Sequence, residues 1–378
     1  MRNKSVIFLI VILFVITILM ALNYFFKPFY KEMAKVNEEI ESDIEEMSEF
    51  DEKIKVLEQM STKDKISQMM AVPLVIDEDP QATFSAGFII IFGKRIASDS
   101  AKLAVDKVLS QYDQASFYPL IVVDHEGGVV QRLSGKGFTK LPSWQQMCNK
   151  QASDSASLFK KSAEELASVG VNIVLAPVVD LGSNNVLKTR VCSDQESLEN
   201  TAKSFIINFG QYGIMSVIKH FPGLGNITKD PHHYYEEIKV NVDDTKAFRN
   251  LLDVFPNLGV MTAHVGVKDR FEGQPCSLSK GCLSGFVNSY PDSLVFIDAL
   301  DMRSALNGGR ENSRTLARAS IEAVLAGNDI LVFGEAVKPD ELGEALEALV
   351  LEYDRSEEFK TQINTSLEKI IKLKKLNK

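Results

Sequence analysis

Asp124, Asp180, the adjacent Lys219 and His220, His264 and Asp298 are the residues of this chain whose types could do chemistry together. Each stands at or just past the end of a short run rich in β-branched residues. Carboxylates, imidazoles and an amine can serve as nucleophile, general acid or general base, and they can clamp a polar substrate through charge-assisted hydrogen bonds. Any one of them alone could be a satisfied structural residue. Five runs that carry them together are hard to reconcile with core packing, which disfavours charge.

The elements that must position these residues are themselves regular. After Met60, short apolar runs alternate with helical stretches: QMMAVPL (68–74), GFIIIF (87–92), LIVVDHE (120–126), VNIVLAPVVD (171–180), IMSVIKH (214–220), GVMTAHV (259–265), LVFIDAL (294–300) and DILVF (329–333). Continuous apolar strands are buried on both faces. Eight of them alternating with helices predict an α/β fold of the (β/α)8 TIM-barrel type, with the polar residues at the carboxyl ends where such barrels gather their active sites. The helix before the last run is plain in SRTLARASIEAVLAG, with Gly327 placed as its C-cap. A doubly wound open sheet is the alternative, but no glycine-rich phosphate fingerprint follows the first run.

The composition excludes several classes. With 378 residues, 45% hydrophobic and 25% charged, the chain has ample material for a core and is neither disordered nor collagenous. A net charge of -9 has the wrong sign for a general phosphate-backbone binder, so no nucleic-acid partner is expected. Cys148, Cys192, Cys276 and Cys282 show neither the paired spacing of a zinc site nor the density of a disulfide scaffold. Cys276 and Cys282 are near enough in sequence to close a small ring in an oxidising compartment.

The amino terminus reads differently. Residues 6–26 carry no charge and have the length to span a bilayer, with Arg2 and Lys4 before them and Tyr24, Phe25 and Phe26 at the end. A transmembrane signal-anchor over 1–27 is expected, and with it a membrane-anchored chain whose remainder is extracytoplasmic, at the cell surface or in the periplasm. A cleaved signal peptide is the competing reading. Residues 28–60 are acidic and place Met33, Val36, Ile40, Ile44, Met47, Phe50, Ile54 and Leu57 at steps of three or four, which predicts an amphipathic helical stalk. A spacer is the simpler reading of that stalk, and a weak dimer through it is left open. The catalytic barrel is expected over 61–378.

Several ordered motifs carry a resemblance. DHEGGVVQRL (124–133), KHFPGLGNITKDPHH (219–233), MTAHV (261–265) and FIDALDM (296–302), with STKDKISQMM (61–70) and LAPVVDLGSNNVLKTRVC (175–192), resemble glycoside hydrolase family 3. The nearest likeness is to its single-barrel, NagZ-like β-N-acetylglucosaminidase branch, over about residues 60–335. The resemblance implies an exo-acting retaining hydrolase that removes terminal β-linked GlcNAc from peptidoglycan-type fragments through a covalent glycosyl-enzyme, with no metal or organic cofactor. A β-glucosidase or other exo-glycosidase on the same barrel, or a catalytically weak wall-binding module, are the alternatives.

The resemblance also implies roles. Asp298 matches the nucleophile, with Asp301 a nearby decoy. Asp124, Arg132, Arg190, Lys219 and His220 match sugar-binding positions, and charged side chains suit a substrate covered in hydroxyls. Asp230 and His232 match the dyad in which an Asp orients a loop His that protonates the leaving oxygen and later deprotonates water. His233 is the adjacent alternative. The chain departs from the family at Val129, where Arg is usual, at Leu224, where His is frequent, and by lacking the Pro that commonly follows the dyad. Pro231 sits inside the dyad instead.

Overall fold

The computed structural model describes residues 35, 44, 47–76, 84–150, 152–182, 184–309 and 313–374. The chain divides into two compact units, Met1–Glu58 and Gln59–Lys378. In the second, the apolar runs form eight strands: β1 (Met70–Val75), β2 (Phe88–Phe92), β3 (Leu120–Val123), β4 (Ile173–Val174), β5 (Met215–Phe221), β6 (Gly259–Thr262), β7 (Val295–Ile297) and β8 (Leu331–Val332). Their order is β7-β6-β5-β4-β3-β2-β1-β8, and every neighbouring pair is parallel. A further parallel bridge joins Phe296 in β7 to Ile330, just before β8, and so closes the sheet into a barrel.

Local sequence explains these elements. All five residues of β2 are buried, as expected of a strand covered on both faces. The run 171–180 is read as one long strand, yet only Ile173–Val174 pair as a strand, with an isolated bridge from Val178 to Lys219. Pro177 has no N–H to give the ladder, but its carbonyl accepts from Lys219 N at 3.2 Å and Val179 N donates to Lys219 O at 2.8 Å, so the segment still follows β5. Helix Leu316–Ala326 begins at Thr315, whose side chain accepts from Arg318 N, and ends at Gly327 with φ 107°. Only glycine takes that left-handed C-cap without steric cost.

Beyond β8 lie two helices that sequence reading did not resolve, Pro339–Arg355 and Glu357–Leu373, 17 residues each. The second is tied to the amino-terminal end of the barrel. Ser366 Oγ and Lys369 Nζ donate to Asp329 at 2.7 and 2.5 Å. Lys374 Nζ, beneath the Phe88 ring, donates to the carbonyls of Gly87 (2.5 Å) and Tyr118 (3.2 Å), which precede β2 and β3.

In the first unit, residues 47–58 are helical, in the span assigned to the stalk. Most of residues 28–46 lies outside the described residues, and the weak dimer expected through the stalk finds no support in the single chain. The expected membrane anchoring and extracytoplasmic placement are corrected. Among the described residues no helix is long and apolar enough to cross a membrane. A span needs ~20 largely apolar residues, whereas helices such as Ala152–Ser168 stop at 17 and carry several charges. Residues 6–26, on which the expectation rested, lie outside the described residues.

Burial lowers the Lys374 ammonium pKa from 10.5 to about 7. Below pH 7 the folded state bears the whole cost of burying the cation. As pH rises from 7 towards 10.5 the folded amine is neutral while the unfolded one is still charged, and that cost fades. Lys374→Met should therefore gain most over the parent protein at pH 6, and the gain should shrink by more than ~1 kcal/mol by pH 9. Urea unfolding at both pH values checks this, and a difference independent of pH would contradict it.

Candidate active site

The carboxyl end of β3 supplies the first charged groups. Past Val123 the chain stays extended, so alternate side chains face opposite ways. His125 turns into the protein, with Nε2 2.8 Å from Ser162 Oγ and its ring near Phe209. Burial lowers its pKa to about 3, which keeps it neutral. Asp124 and Glu126 take the other side, where Lys219 Nζ from β5 bridges them at 2.9 and 2.7 Å. Arg190 approaches Glu126 in a fork, Nε to Oε2 and Nη2 to Oε1, both at 2.8 Å.

These charges decide each other's ionisation. Burial opposes the Glu126 carboxylate, but Arg190 and Lys219 outweigh it and bring the pKa to about 2. Asp124 is likewise lowered against its burial, by Lys219 and Arg132. Lys219, although 3% exposed, is raised because Asp124 and Glu126 outweigh desolvation. His220 continues the chain of contacts: its Nδ1 meets Asp180 Oδ2 at 2.7 Å, and its Nε2 lies 3.4 Å from Arg190 Nη2. Asp180 also accepts from the amides of His220 (3.2 Å) and Leu224 (2.7 Å) and so shapes the turn out of β5. Arg132 stands at the edge, 3.6 Å from Asp124 Oδ2 and over the Phe92 ring, with a buried Nε that has no hydrogen-bond partner among the described residues.

Across the barrel mouth, Asp298 directly follows β7. Its amide donates to Thr262 O at 3.0 Å, and its Oδ1 accepts from Ala299 N at 2.8 Å. Burial would raise its pKa, but His220 and the Ala299 amide contribute to a net lowering, so the half-buried carboxylate stays ionised. His264 holds this turn from β6. Its Nε2 lies 3.1 Å from the carbonyls of both Asp298 and Ala299, and its Nδ1 is 2.7 Å from Ser277 Oγ. With Nε2–H donating to the carbonyls and Nδ1 accepting from the hydroxyl, the ring is neutral, in keeping with a pKa lowered by burial. Asp301 contrasts with Asp298. It accepts from Gly334 N at 2.8 Å, and burial together with the charge of Asp298 raises its pKa.

The loop after β5 places Asp230 and His232 at the rim. His232 Nδ1 is 2.7 Å from Asp230 Oδ1, which also accepts from His232 N at 3.0 Å. His232 is 64% exposed, so its Nε2 is open to a ligand. Burial opposes ionisation of Asp230, but the hydrogen bonds from His232 prevail and lower its pKa. The loop rests on the segment after Asp298, where Arg303 N and Ser304 N donate to His232 O (3.3 Å) and Pro231 O (3.4 Å).

A mouth with one ionised carboxylate at a strand end, an Asp-His pair on an overlying loop and a band of paired cations and anions suits acid-base chemistry on a polar, neutral substrate. Among the described residues no group of His, Cys, Asp or Glu is arranged to hold a metal ion. The family described as Glycosyl hydrolase family 3 N terminal domain matches residues 36–373. The chain belongs to glycoside hydrolase family 3. A β-hexosaminidase of Methylococcus capsulatus is 32% identical over 281 residues, covering 70% of this chain and 80% of that protein. One from Tolumonas auensis is 30% identical over 262 residues, covering 65% and 76%. In fold, the crystal structure of a β-N-acetylhexosaminidase from Beutenbergia cavernae superposes with a TM-score of 0.74 at 21% identity, covering 83% of this chain and 98% of that one.

This family 3 glycoside hydrolase explains one of its own departures. Leu224, where the family often has His, is buried with Leu187, Val191, Ile227, Ile238, Ala263 and Val265. That apolar cluster lies between the segments bearing Arg190, the dyad and His264, and it holds them together at the mouth. Gly225 is required beside it, because a Cβ there would lie 1.7 Å from Leu181 O. Val129 points outward and is 78% exposed. The expected Cys276–Cys282 disulfide is present, with Cα atoms 5.3 Å apart, and it adjoins Ser277. Cys148–Cys192, 44 residues apart and not foreseen, ties the chain just past Arg190 to helix Trp144–Cys148.

Sequence reading missed Glu126 as a site residue, although the Asp-x-Glu alternation past β3 held the signal. Glu126→Gln should leave the buried Lys219 and the partly exposed Arg190 short of their shared anion. The expected cost is roughly 3–5 kcal/mol of stability, with kcat/KM on aryl glycosides down about 100-fold. Denaturant unfolding and steady-state kinetics read both, and an unchanged unfolding midpoint would show that the cluster carries no such weight.

Proposed function

We propose that the barrel, residues 61–378, is a retaining exo-β-N-acetylglucosaminidase that releases terminal β-linked GlcNAc, with peptidoglycan-type fragments as the substrate source implied by the family resemblance. The observation that carries the mechanism is the Asp230–His232 pair on a loop docked against the segment that follows the ionised Asp298. The preference for GlcNAc rests on the β-hexosaminidases at 30–32% identity.

Asp124, Arg132, Arg190, Lys219 and His220 form the sugar-binding side. Asp124 accepts hydrogen bonds from hydroxyls and the cations donate them, while Glu126 holds Arg190 and Lys219 in place. Asp298 attacks the anomeric carbon as the glycosidic C–O bond breaks, and protonated His232 gives its Nε2 proton to the leaving oxygen. The glycosyl ester on Asp298 is then hydrolysed by a water that neutral His232 deprotonates, which frees the carboxylate. Asp230, bonded to Nδ1, fixes the ring so that Nε2 is the nitrogen directed outward.

Asp298→Ala should abolish nearly all turnover while sugar binding survives, and Asp301→Ala should keep measurable activity. A 2-fluoro sugar should label Asp298, read by peptide mass spectrometry, and a label on another carboxylate would refute the assignment. His232→Ala should slow glycosides with poor leaving groups by ~100-fold or more and activated aryl glycosides far less, with Asp230→Ala milder in the same sense. Equal slowing of both substrates, or the leaving-group effect in His233→Ala instead, would overturn the role of His232. An aryl glycoside panel that favours glucosides over N-acetylglucosaminides would replace the substrate.

A further inference from the structure

The loop that carries the dyad is closed on itself at its base by one carboxylate. Glu236 Oε2 accepts from the backbone amides of Thr228 (2.8 Å) and Lys229 (3.0 Å), and Glu236 Oε1 accepts from Thr228 Oγ1 (2.6 Å). The Glu236 carbonyl accepts from Gly266 N at 2.9 Å, which roots the returning strand of the loop in the segment that follows β6. Burial would raise the pKa of Glu236, but these donors outweigh it, so the staple is an ionised acceptor. Between its two ends run Asp230, the buried Pro231 and His232, and among the described residues the hydrogen bonds that tie this tip to the segment after Asp298 are two long backbone ones, from Arg303 and Ser304 at 3.3 and 3.4 Å.

We propose that Glu236 is a positioning residue that holds the acid/base His232 in register over the reaction centre. The proposal rests on the assignment of His232 as the acid/base. A proton donor must sit within hydrogen-bond reach of the leaving oxygen, and displacement by ~1 Å costs as much as 100-fold in rate. The exposed ring of His232 has little packing around it to supply that precision, so the bonds at the base of the loop supply it.

The consequence is specific to one step. Glu236→Ala should lower kcat/KM for glycosides with poor leaving groups by roughly tenfold and for activated aryl glycosides by less than about twofold, since the latter need little proton donation. Glu236→Gln should restore both to within about twofold, because its carbonyl oxygen can accept from both amides and its NH2 can donate to Thr228 Oγ1. In a His232→Ala background, Glu236→Ala should add no further leaving-group dependence, because the group it positions is gone. The proposal is overturned if Glu236→Ala slows both substrate types equally, if it slows neither, if Glu236→Gln fails to rescue, or if the two substitutions are additive. His232→Ala measured alone separates the two ideas. A leaving-group effect there without one in Glu236→Ala overturns the staple only, whereas its absence from His232→Ala overturns the acid/base assignment and the staple with it.

Discussion

A single carboxylate shared between two cations is the constraint on which the mouth of this barrel depends. Glu126 is 1% exposed, and it is tolerated there because Arg190 and Lys219 meet it at 2.7–2.8 Å. An isolated buried ion costs several kcal/mol, and only short, well-directed partners offset that. Once Glu126 is fixed, so are the Arg190 fork and the Lys219 ammonium, and through them Asp124, His220 and Asp180. Few of these side chains could change rotamer without stranding a charge, which is the rigidity a polyol clamp needs.

The loops that deliver these groups are held by different means at different distances from the strands. Close to the barrel, apolar contacts suffice: Leu224, Ile227 and Ile238 pack with Leu187, Val191, Ala263 and Val265 and bring three loops into one small core. Two disulfides fasten chain next to Arg190 and Ser277. At the rim there is little apolar surface to bury, and hydrogen bonds to Glu236 and Asp230 take over. The same division separates Asp298 from Asp301. Asp298 sits where His220 and the Ala299 amide offset its burial, whereas Asp301 lies beside an existing negative charge that raises its pKa. Two aspartates three residues apart thus hold opposite tendencies to ionise, and the one whose pKa is lowered is the proposed nucleophile.

The barrel was legible because its strands are short unbroken apolar runs that end in polar residues, a pattern that core packing alone does not produce. Asp298, Lys219 and His220 could be read from that pattern and the dyad from the family motif. What escaped reading depends on tertiary contact. Glu126 looks like one more charge in DHEGG until Arg190, 64 residues away in sequence, folds onto it. The pairing of Cys148 with Cys192 has no local signature, and Leu224 reads as a lost histidine until its apolar neighbours are known. Helix Glu357–Leu373 follows the last apolar run and so lay beyond the strand-helix alternation, although its Lys374 end plugs the strands at the opposite end from the site. The amino-terminal reading rested on the length and composition of an apolar stretch that lies outside the described residues, and among the described helices none is long and apolar enough to cross a membrane.

The central claim is that Asp298 forms a covalent bond to the sugar and that water later displaces it from the opposite face, the one the leaving group vacated. Proton NMR during hydrolysis of a β-linked aryl N-acetylglucosaminide, recorded faster than mutarotation, reads that geometry directly. The account predicts that the first free sugar to appear is the β-anomer, which equilibrates to the α-anomer only afterwards. Initial release of the α-anomer would mean a single displacement by water, and it would contradict the role given to Asp298.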